Sequence, residues 1–311
     1  MANLRDIRNR ICGIQSTAKI TQAMQMVAAS KLRKAQEAIQ NARPYFKKMN
    51  EILKNIVDTI SEDYNHPLIR KSQDINNILL IVIASDKGLC GSFNNNLLKF
   101  ADEKIAKELK IEYPNANFKI ITIGKKSSAY FEKHNFKIVN EFNGIFSHLT
   151  IDNARNIVKI IYKKFVDKEI DKVYVINNDF INLITQKPSM RLLLPIGSDN
   201  ITLDITTGRK SIKSDVSKVE KVYSDSEYIF EPSKEELLNA LLPMNLEMQL
   251  WRALLESNAA DNAARMMAME NATNNAKDLI DELQLSYNKA RQSAITTEML
   301  EIVSGAEALK G

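Results

Sequence analysis

Apolar residues recur at alternating intervals of three and four positions through the first sixty residues of the chain. The series runs through Leu4, Ile7, Ile11, Ile14, Ala18, Thr21, Gln25, Ala28, Leu32, Ala35, Ile39, Ala42, Phe46, Met49, Leu53, Ile56 and Ile60. Fifteen of these seventeen residues are apolar, and a seven-residue repeat of this length is typical of a left-handed coiled coil. The pattern predicts an N-terminal coiled-coil helix over residues 1–62, which Pro44 should loosen or kink.

The same spacing returns near the C-terminus. It runs through Met266, Met269, Thr273, Ala276, Ile280, Leu283, Tyr287, Ala290 and Ala294. Residues 244–304 contain no glycine or proline, and a helix of these 61 residues would be about 90 Å long. We expect a C-terminal coiled-coil helix over residues 231–311 that pairs antiparallel with the first helix to form a shaft. The alternative is two separate amphipathic helices folded onto the rest of the protein.

Charge favours the pairing of the two ends. Residues 1–60 carry a local balance of +7, residues 233–311 carry −5, and the chain as a whole carries +5. A net charge of +5 would by itself suggest an acidic partner such as nucleic acid or anionic lipid. Because the charge is divided between two oppositely charged helices, it is better explained as attraction within the protein.

The middle of the chain, residues 63–230, predicts a compact α/β domain inserted between the helices. Short β-branched runs predict buried strands at residues 78–84, 118–123 and 172–176. Helical stretches are expected near residues 94–110, 125–133 and 151–168. The order βαβαβ predicts a small, mostly parallel sheet. Residues 182–195 predict a further extended strand interrupted at Pro188, and residues 197–226 predict an exposed connection.

Two segments of this middle domain invite a search for phosphate-binding loops. The segment Ser85–Asn94 follows the first strand and precedes a helix, but Gly88 and Gly91 give only G-x-x-G. Gly124–Ser127 resembles the end of a P-loop, yet the glycine required five positions upstream is Lys119. Both segments therefore predict turns, and no cofactor is expected.

Metal, nucleophile and membrane signals are weak. The three histidines, His66, His134 and His148, have no metal-ligand spacing and are expected on the surface or in loops. Cys90 lies in the Ser85–Asn94 turn without a neighbouring histidine and is expected to be a packed thiol. The longest apolar run has seven residues, and two distant cysteines without a signal or transit peptide favour a reducing, cytosol-side protein.

Three stretches carry a resemblance to a known family. They are IQSTAKITQAMQMVAASKLRK at 14–34, ARMMAMENATNNA at 264–276, and LQLSYNKARQSAITTE at 283–298 followed by residues 301–306. Together they closely resemble the gamma subunits of F-type ATP synthases, and the Ser85–Asn94 turn also resembles that family. The resemblance covers essentially the whole chain.

The resemblance implies a non-catalytic rotor. Its coiled coil would enter a ring of three alpha and three beta subunits, and its α/β domain would stand on the ring of c subunits beside epsilon. Rotation of this asymmetric shaft would bias each beta subunit toward a different nucleotide affinity. Membrane association would be indirect, on the cytoplasmic face of a bacterial inner membrane or in an organelle after processing.

The resemblance also implies contact residues. Positions that match beta-subunit contacts in the family are Met24, Arg265, Gln292, Thr296 and Glu298. The apolar tip of the shaft would include Ile302, Val303 and Ala306. Contacts with epsilon or the c ring would involve Asp86, Lys87, Gly88, Leu89, Cys90 and Gly91. Each assignment competes with the simpler interpretation of a solvated surface.

Two other classes of protein remain open from the residues alone. A coiled-coil scaffold or nucleic-acid-binding protein could use the basic N-terminal helix, although the seam lacks the interleaved aromatic residues that stack on bases. A nucleotide-using α/β enzyme would need a phosphate site that neither glycine segment supplies. We therefore expect no nucleic-acid partner and no active site within this chain.

Overall fold

The computed structural model describes residues 4–59, 66–70, 74–196, 231 and 233–308. Its α-helices are α1 (Leu4–Thr59), α2 (Phe93–Glu103), α3 (Lys110–Glu112), α4 (Lys125–Lys133), α5 (Ile151–Val166) and α6 (Lys234–Ala308). A π-helical segment, Lys104–Leu109, joins α2 to α3, and short 3₁₀ helices lie at Pro67–Ile69 and Ile145–Ser147. The predicted connection at 197–226 and the last seam residue of the N-terminal series, Ile60, lie outside the described residues.

The strands form one five-stranded mixed sheet. They are β1 (Asn77–Ile83), β2 (Asn117–Ile123), β3 (Lys137–Phe142), β4 (Lys172–Phe180) and β5 (Gln186–Leu194). Their order across the sheet is β3-β2-β1-β4-β5. Strand β1 pairs in parallel with β2 and β4, β2 pairs in parallel with β3, and β5 pairs antiparallel with β4. The sequence predicted a mostly parallel sheet inserted between two long terminal helices, and this fold class is therefore confirmed.

Two details of the predicted sheet are wrong. Strand β3 was not expected, because Lys137, Asn140 and Glu141 interrupt its apolar residues and its side chains are at most half-buried. Strand β5 continues through Pro188, which lies opposite Asn178, so the proline does not interrupt it. Both strands are at edges of the sheet, where one side of the backbone needs no ladder partner and proline is tolerated.

The helices α1 and α6 are continuous through their prolines, Pro44 and Pro243. Proline at position 44 therefore does not end α1. The described chain divides into two compact units, one of Met1–Ser30 with Arg265–Gly311 and one of Lys31–Ala264. These differ from the segments 1–62, 63–230 and 231–311 expected from the sequence, because α1 and α6 each contribute residues to both units.

The first unit is a pair of antiparallel helices joined along the predicted seam. All eight α1 seam residues between Leu4 and Ala28 and all nine α6 seam residues are buried or half-buried. The Thr21 and Thr273 hydroxyl oxygens lie 2.7 Å apart, which fixes the register. In this antiparallel register, the residue numbers of two facing seam positions add up to 294. Every seam residue of α1 from Leu4 to Ala28 is therefore opposite a seam residue of α6. The pairs beyond the two threonines include Leu4 with Ala290, Ile7 with Tyr287, Ile11 with Leu283, Ile14 with Ile280 and Ala18 with Ala276.

The second unit has a core on each face of the sheet. Alternate β1 residues point to opposite faces, so Leu79, Ile81 and Ile83 belong to one core and Ile78, Leu80 and Val82 to the other. The first core includes Met49, Leu53 and Ile56 of α1, the inner face of α5, and leucines of α6. The second core is covered by α2, the π-helical segment and α4.

The contacts of α1 and α6 in the second unit correct one inference from the heptad pattern. Here the apolar stripe of α1 packs on the sheet as well as along α6, so a sustained seam does not indicate a coiled coil over the whole helix. Folding of amphipathic helices onto the α/β domain, which was the alternative, applies to this part of each helix. The same stripe serves both purposes because a sheet face and a partner helix both accept apolar residues at this spacing.

Candidate functional site

The outer surface of the helix pair carries the residues expected to contact beta subunits. Met24 and Arg265 are half-buried, whereas Gln292, Thr296 and Glu298 are exposed. The Thr296 hydroxyl donates to the carbonyl oxygen of Gln292 at 2.9 Å, so it is already satisfied within the helix. All five residues belong to the first unit.

Met24 belongs to an apolar stripe that the sequence analysis did not single out. Ile20 and Val27, four positions before and three after it, are 60% and 57% exposed. These residues share one face of α1, next to the seam. Their spacing of four and three residues, offset from the seam series, was the signal that could have revealed them. An exposed apolar stripe beside a filled seam is the arrangement expected of a surface that meets another protein.

The end of α6 has no facing helix within the described part of this unit. Since α1 begins at Leu4, opposite Ala290, the last half-buried residue of α6 is Ala294, and residues 295–307 are all exposed. Ile302 is 71% and Val303 is 60% exposed, and Ala306 is exposed as well. Further exposed apolar residues here are Ile295, Met299 and Leu300. Within the described residues, this end of α6 is therefore an exposed helix with an apolar surface, and its role as the tip of a shaft stays a prediction.

The turn after β1 is built around Asn94. Its side-chain oxygen accepts from the Ser85 backbone N–H at 3.1 Å, and its side-chain amide donates to the Ser85 hydroxyl at 2.8 Å and to the Cys90 sulfur at 3.1 Å. Cys90 is buried with Phe93 and Ala260 of α6, which confirms the packed thiol expected from the sequence. The exposed residues of the turn are Lys87, Leu89, Gly91 and Ser92, with Asp86 and Gly88 half-buried.

Leu89 is the most prominent residue of this turn. Its side chain is 66% exposed and its φ is 62°, in the left-handed region that residues other than glycine rarely adopt. The buried bonds of Asn94 and Cys90 hold the turn in this strained conformation. The result is an apolar side chain presented to solvent on a rigid loop, as in a contact surface.

Asp86 has an internal role. Its carboxylate accepts hydrogen bonds from the backbone N–H groups of Lys125, at 3.2 Å, and Gly144, at 2.8 Å. Asp86 thereby joins the loops after β1, β2 and β3. A carboxylate already occupies the N-terminus of α4, the position at which a nucleotide phosphate would bind in a phosphate-binding loop. This agrees with the failure of both glycine segments to match a nucleotide template.

The histidines lie on the surface or in a loop, as expected, and differ in burial. His134 and His148 are exposed, but His66 is buried, with 5% exposure, and its Nδ1 accepts from the Leu68 N–H at 3.1 Å. Burial lowers the pKa of His66. His66 is a loop residue, which is one of the two expected positions, and it caps the short helix Pro67–Ile69. Within the described ranges, no group of three or more potential ligands has the geometry to hold a metal ion.

A buried network of charges, absent from the sequence analysis, joins the sheet to α6 in the second unit. Arg191 of β5 donates to Asp179 of β4 at 2.6 Å and to Glu256 of α6 at 3.2 Å. Glu256 also accepts from Arg252, one turn earlier on α6, at 2.8 Å. Burial opposes the charge of Glu256, but Arg252 and Arg191 hold its pKa below the ordinary value. Burial raises the pKa of Asp179 against the attraction of Arg191.

The comparisons with known proteins agree with the resemblance. A family described as ATP synthase matches residues 3–309. The chain is 40% identical over 311 residues, its full length and that of the relative, to the ATP synthase gamma chain of Chlorobium phaeobacteroides (strain BS1). This chain belongs to the ATP synthase gamma-chain family. It is also 41% identical, over 310 residues, to the gamma chain of Salinibacter ruber, covering all of this chain and 99% of that one.

Solved structures show the same fold. A chain from the central stalk and c-ring structure of the Tetrahymena thermophila mitochondrial ATP synthase is 25% identical with a TM-score of 0.56, covering 81% of this chain and 99% of that one. A chain from the OSCP/F1/c-ring structure of the Euglena gracilis mitochondrial ATP synthase has a TM-score of 0.64 at 18% identity, covering 98% of this chain and 94% of that one. The gamma-chain fold is thus confirmed. Among the described residues of this family member, no helix has the length and hydropathy to cross a membrane.

Proposed function

We propose that this chain is the central-stalk rotor of an F-type ATP synthase, which couples proton-driven rotation of the c ring to ATP synthesis or hydrolysis at the beta subunits. The observation that carries the proposal is the 40% identity to gamma chains over the full length. The paired helices supply the mechanical element, because a filled antiparallel seam resists the bending and twisting that torque imposes.

Its partners are three alpha and three beta subunits, epsilon and the c ring. The stripe of Ile20, Met24 and Val27 and the α6 residues Arg265, Gln292, Thr296 and Glu298 are the contacts with beta subunits. Their support is a position on the outer surface of a helix pair whose faces differ in sequence, where Met24 and Arg265 are half-buried and the others are exposed. One rotor with unlike faces interacts differently with each beta subunit, and only such differential contact can shift the subunits between conformations.

Chemistry takes place outside this chain, which is a non-catalytic subunit. The internal use of the Asp86 carboxylate at α4 supports this interpretation, since the position that would bind phosphate is filled by the protein itself. The turn Asp86–Gly91 contacts epsilon or the c ring, mainly through exposed Lys87 and Leu89.

The complex places the chain at the membrane without inserting it. We infer a peripheral position on the cytoplasmic face of a bacterial inner membrane. The relatives that support this location are gamma chains of bacteria such as Chlorobium phaeobacteroides and Salinibacter ruber.

Native mass spectrometry after mixing the full chain with alpha and beta subunits tests the proposal. The expected assembly contains one copy of this chain for three alpha and three beta subunits. An excess of copies, or rings that form and never incorporate the chain, would contradict a central-stalk role. Strong, salt-dependent binding of the isolated chain to DNA would instead support the nucleic-acid alternative.

A further inference from the structure

In the second unit, α6 is held on the sheet by a row of leucines. They are Leu238, Leu242, Leu246, Leu250 and Leu254, each no more than 1% exposed. The attraction between apolar surfaces is roughly proportional to buried area and has little directional preference. These contacts keep the helix on the sheet and oppose any rotation large enough to expose the leucines, but they tolerate small changes in its angle.

Packing beside this row is incomplete on one side. A cavity lies between α1, the sheet and α6, and Phe46, Leu193 and Met248 supply apolar walls to it. Its polar walls include Arg191 and Arg252 of the buried charge network. At this cavity, the side chains of α6 do not interdigitate with those of the sheet. The close packing that would otherwise fix the rotational angle of α6 on the sheet is therefore interrupted.

The charge network supplies the missing directional contact. Arg191 bridges Asp179 on the sheet and Glu256 on α6, and the exposed fractions of these three side chains are 18%, 34% and 11%. Glu256 is fixed further by Arg252. Charge-assisted hydrogen bonds have demanding geometry, so rotation of α6 by a fraction of a turn would break the bond between Arg191 and Glu256.

Stability is a poor explanation for such a network. Removing charges from water costs about as much as their attraction returns, and replacement of buried ion pairs by apolar residues is often neutral or stabilising. What a buried pair can supply is a unique arrangement. In a rotor subunit, the arrangement at issue is the rotational setting of a torque-bearing helix on the sheet against which it packs.

We propose that the Arg191–Glu256 ion pair is a positioning contact that fixes the rotational setting of α6 on the sheet, and that it stiffens the subunit against twisting under torque. The statement about stiffness under torque rests on the proposed rotor function. The statement that the ion pair fixes the rotational setting of α6 concerns the isolated chain and can be tested separately.

The informative variant is Asp179→Asn combined with Arg191→Met. It removes one charge of each sign and the bridge to α6, while Glu256 keeps its partner Arg252. The surface provides a control, because Arg155 of α5 also bridges an acid of α6, Glu247, and a second acid, which here is Asp152 of its own helix, but Arg155 is 47% exposed. Asp152→Asn with Arg155→Met should change little, since exposed pairs contribute weakly.

The first measurement uses the full chain. Spin labels are placed on the exposed positions Lys187 of β5 and Ala240 of α6, in a background with exposed Cys12 replaced by serine. We expect a broader distance distribution for the Asp179/Arg191 variant than for wild type or the control, with Tm shifted by less than about 4 °C. An unchanged distribution would overturn the proposal. If the variant does not fold, Glu256→Met removes the same bridge from the side of α6 and provides the comparison.

The second measurement uses the chain assembled with alpha and beta subunits. Torsional stiffness is obtained from the angular fluctuations of a probe on the α/β domain while the rotor is stalled. We expect the Asp179/Arg191 variant to lose roughly half of the stiffness or more, because the remaining contacts are largely non-directional. Wild-type stiffness in that variant would overturn the link to torque. A wild-type chain that never rotates would instead contradict the proposed function, whatever the distances show.

Discussion

The hydroxyl oxygens of Thr21 and Thr273 lie 2.7 Å apart in the middle of an otherwise apolar seam. Each hydroxyl also lies within hydrogen-bond distance of a carbonyl oxygen of its own helix, Thr273 at 2.8 Å from Met269 and Thr21 at 3.1 Å from Ala18, and either hydroxyl can be the donor to the other. Both side chains are buried, with 9% and 5% exposure. A buried polar pair in a helix seam is satisfied in one register, so this contact selects the alignment in which all facing seam residues meet.

The first prediction concerns this pair. Thr21→Val should lower the free energy of unfolding by about 1 kcal/mol, because the hydrogen bond between the helices is lost while the remaining hydroxyl keeps only its carbonyl acceptor, and Thr273→Val should do the same. The double variant should be less destabilised than the sum of the two, since both polar groups are then gone. Urea unfolding of the full chain provides this double-mutant cycle. Additive losses would show that the hydroxyls do not interact.

Gly124 should tolerate no side chain. Its φ is +94°, and a Cβ there would lie 2.2 Å from the carbonyl oxygen of Ala84. Gly124→Ala should therefore cost more than about 2 kcal/mol, because β1 or the start of α4 must shift. Gly144→Ala is the matched control, with a φ of +82° and open space around its Cβ position. Strain without a clash should cost it about 1 kcal/mol. Thermal unfolding would rank the two, and equal losses would argue against the close approach.

His66 should make the stability of the fold depend on pH. Burial lowers its pKa from the ordinary value of 6.5, so the folded protein favours the neutral ring. The contribution is complete above the unfolded pKa and is lost as the pH falls through that value towards the lower folded pKa. The urea midpoint should consequently fall between about pH 7.5 and pH 5.5. In His66→Asn, which retains an acceptor for the Leu68 N–H, the fall should be smaller. An equal fall would exclude His66 as its source.

Met24 should matter for coupling rather than for assembly. In Met24→Lys, a charge enters the apolar stripe formed with Ile20 and Val27, and the differential contact with beta subunits should weaken. We expect several-fold less proton pumping per ATP hydrolysed in the reconstituted complex, with hydrolysis retained. Met26→Lys is the control, because Met26 is 63% exposed and lies about 200° around the helix from Met24. Normal coupling in Met24→Lys would remove this residue from the contact surface.

Local patterns predicted much of this architecture. The seam from Leu4 to Ile56 was identified correctly because each of its positions faces an apolar surface, whether α6 or the sheet. Strand β1 was evident because burial on both faces leaves no polar residue in Ile78–Ile83. Strand β3 was missed because a half-buried edge strand needs few apolar residues. Lys137 and Glu141 occupy exposed positions in it, where charged side chains are as acceptable as apolar ones.

The charge network and the role of Asp86 depend on contacts between distant parts of the chain. Glu256 lies 65 positions from Arg191, and Asp86 lies 58 positions from Gly144. In sequence, each acid is indistinguishable from a solvated surface charge. The stripe around Met24 was accessible in principle, because Ile20 and Val27 lie at helical spacing outside the seam. The beta-subunit contacts beyond Met24 came from family resemblance, since exposed Gln292 and Thr296 have no distinctive pattern of their own.

Direct observation of rotation tests the central claim. The chain would be assembled with alpha and beta subunits, the complex would be fixed to a surface through beta, and a probe would be attached to the α/β domain. With ATP present, the account predicts continuous rotation in one direction, with one stop for each catalytic subunit. ATP hydrolysis by the complex while the probe only fluctuates about a fixed angle would contradict the assignment of this chain as the rotor.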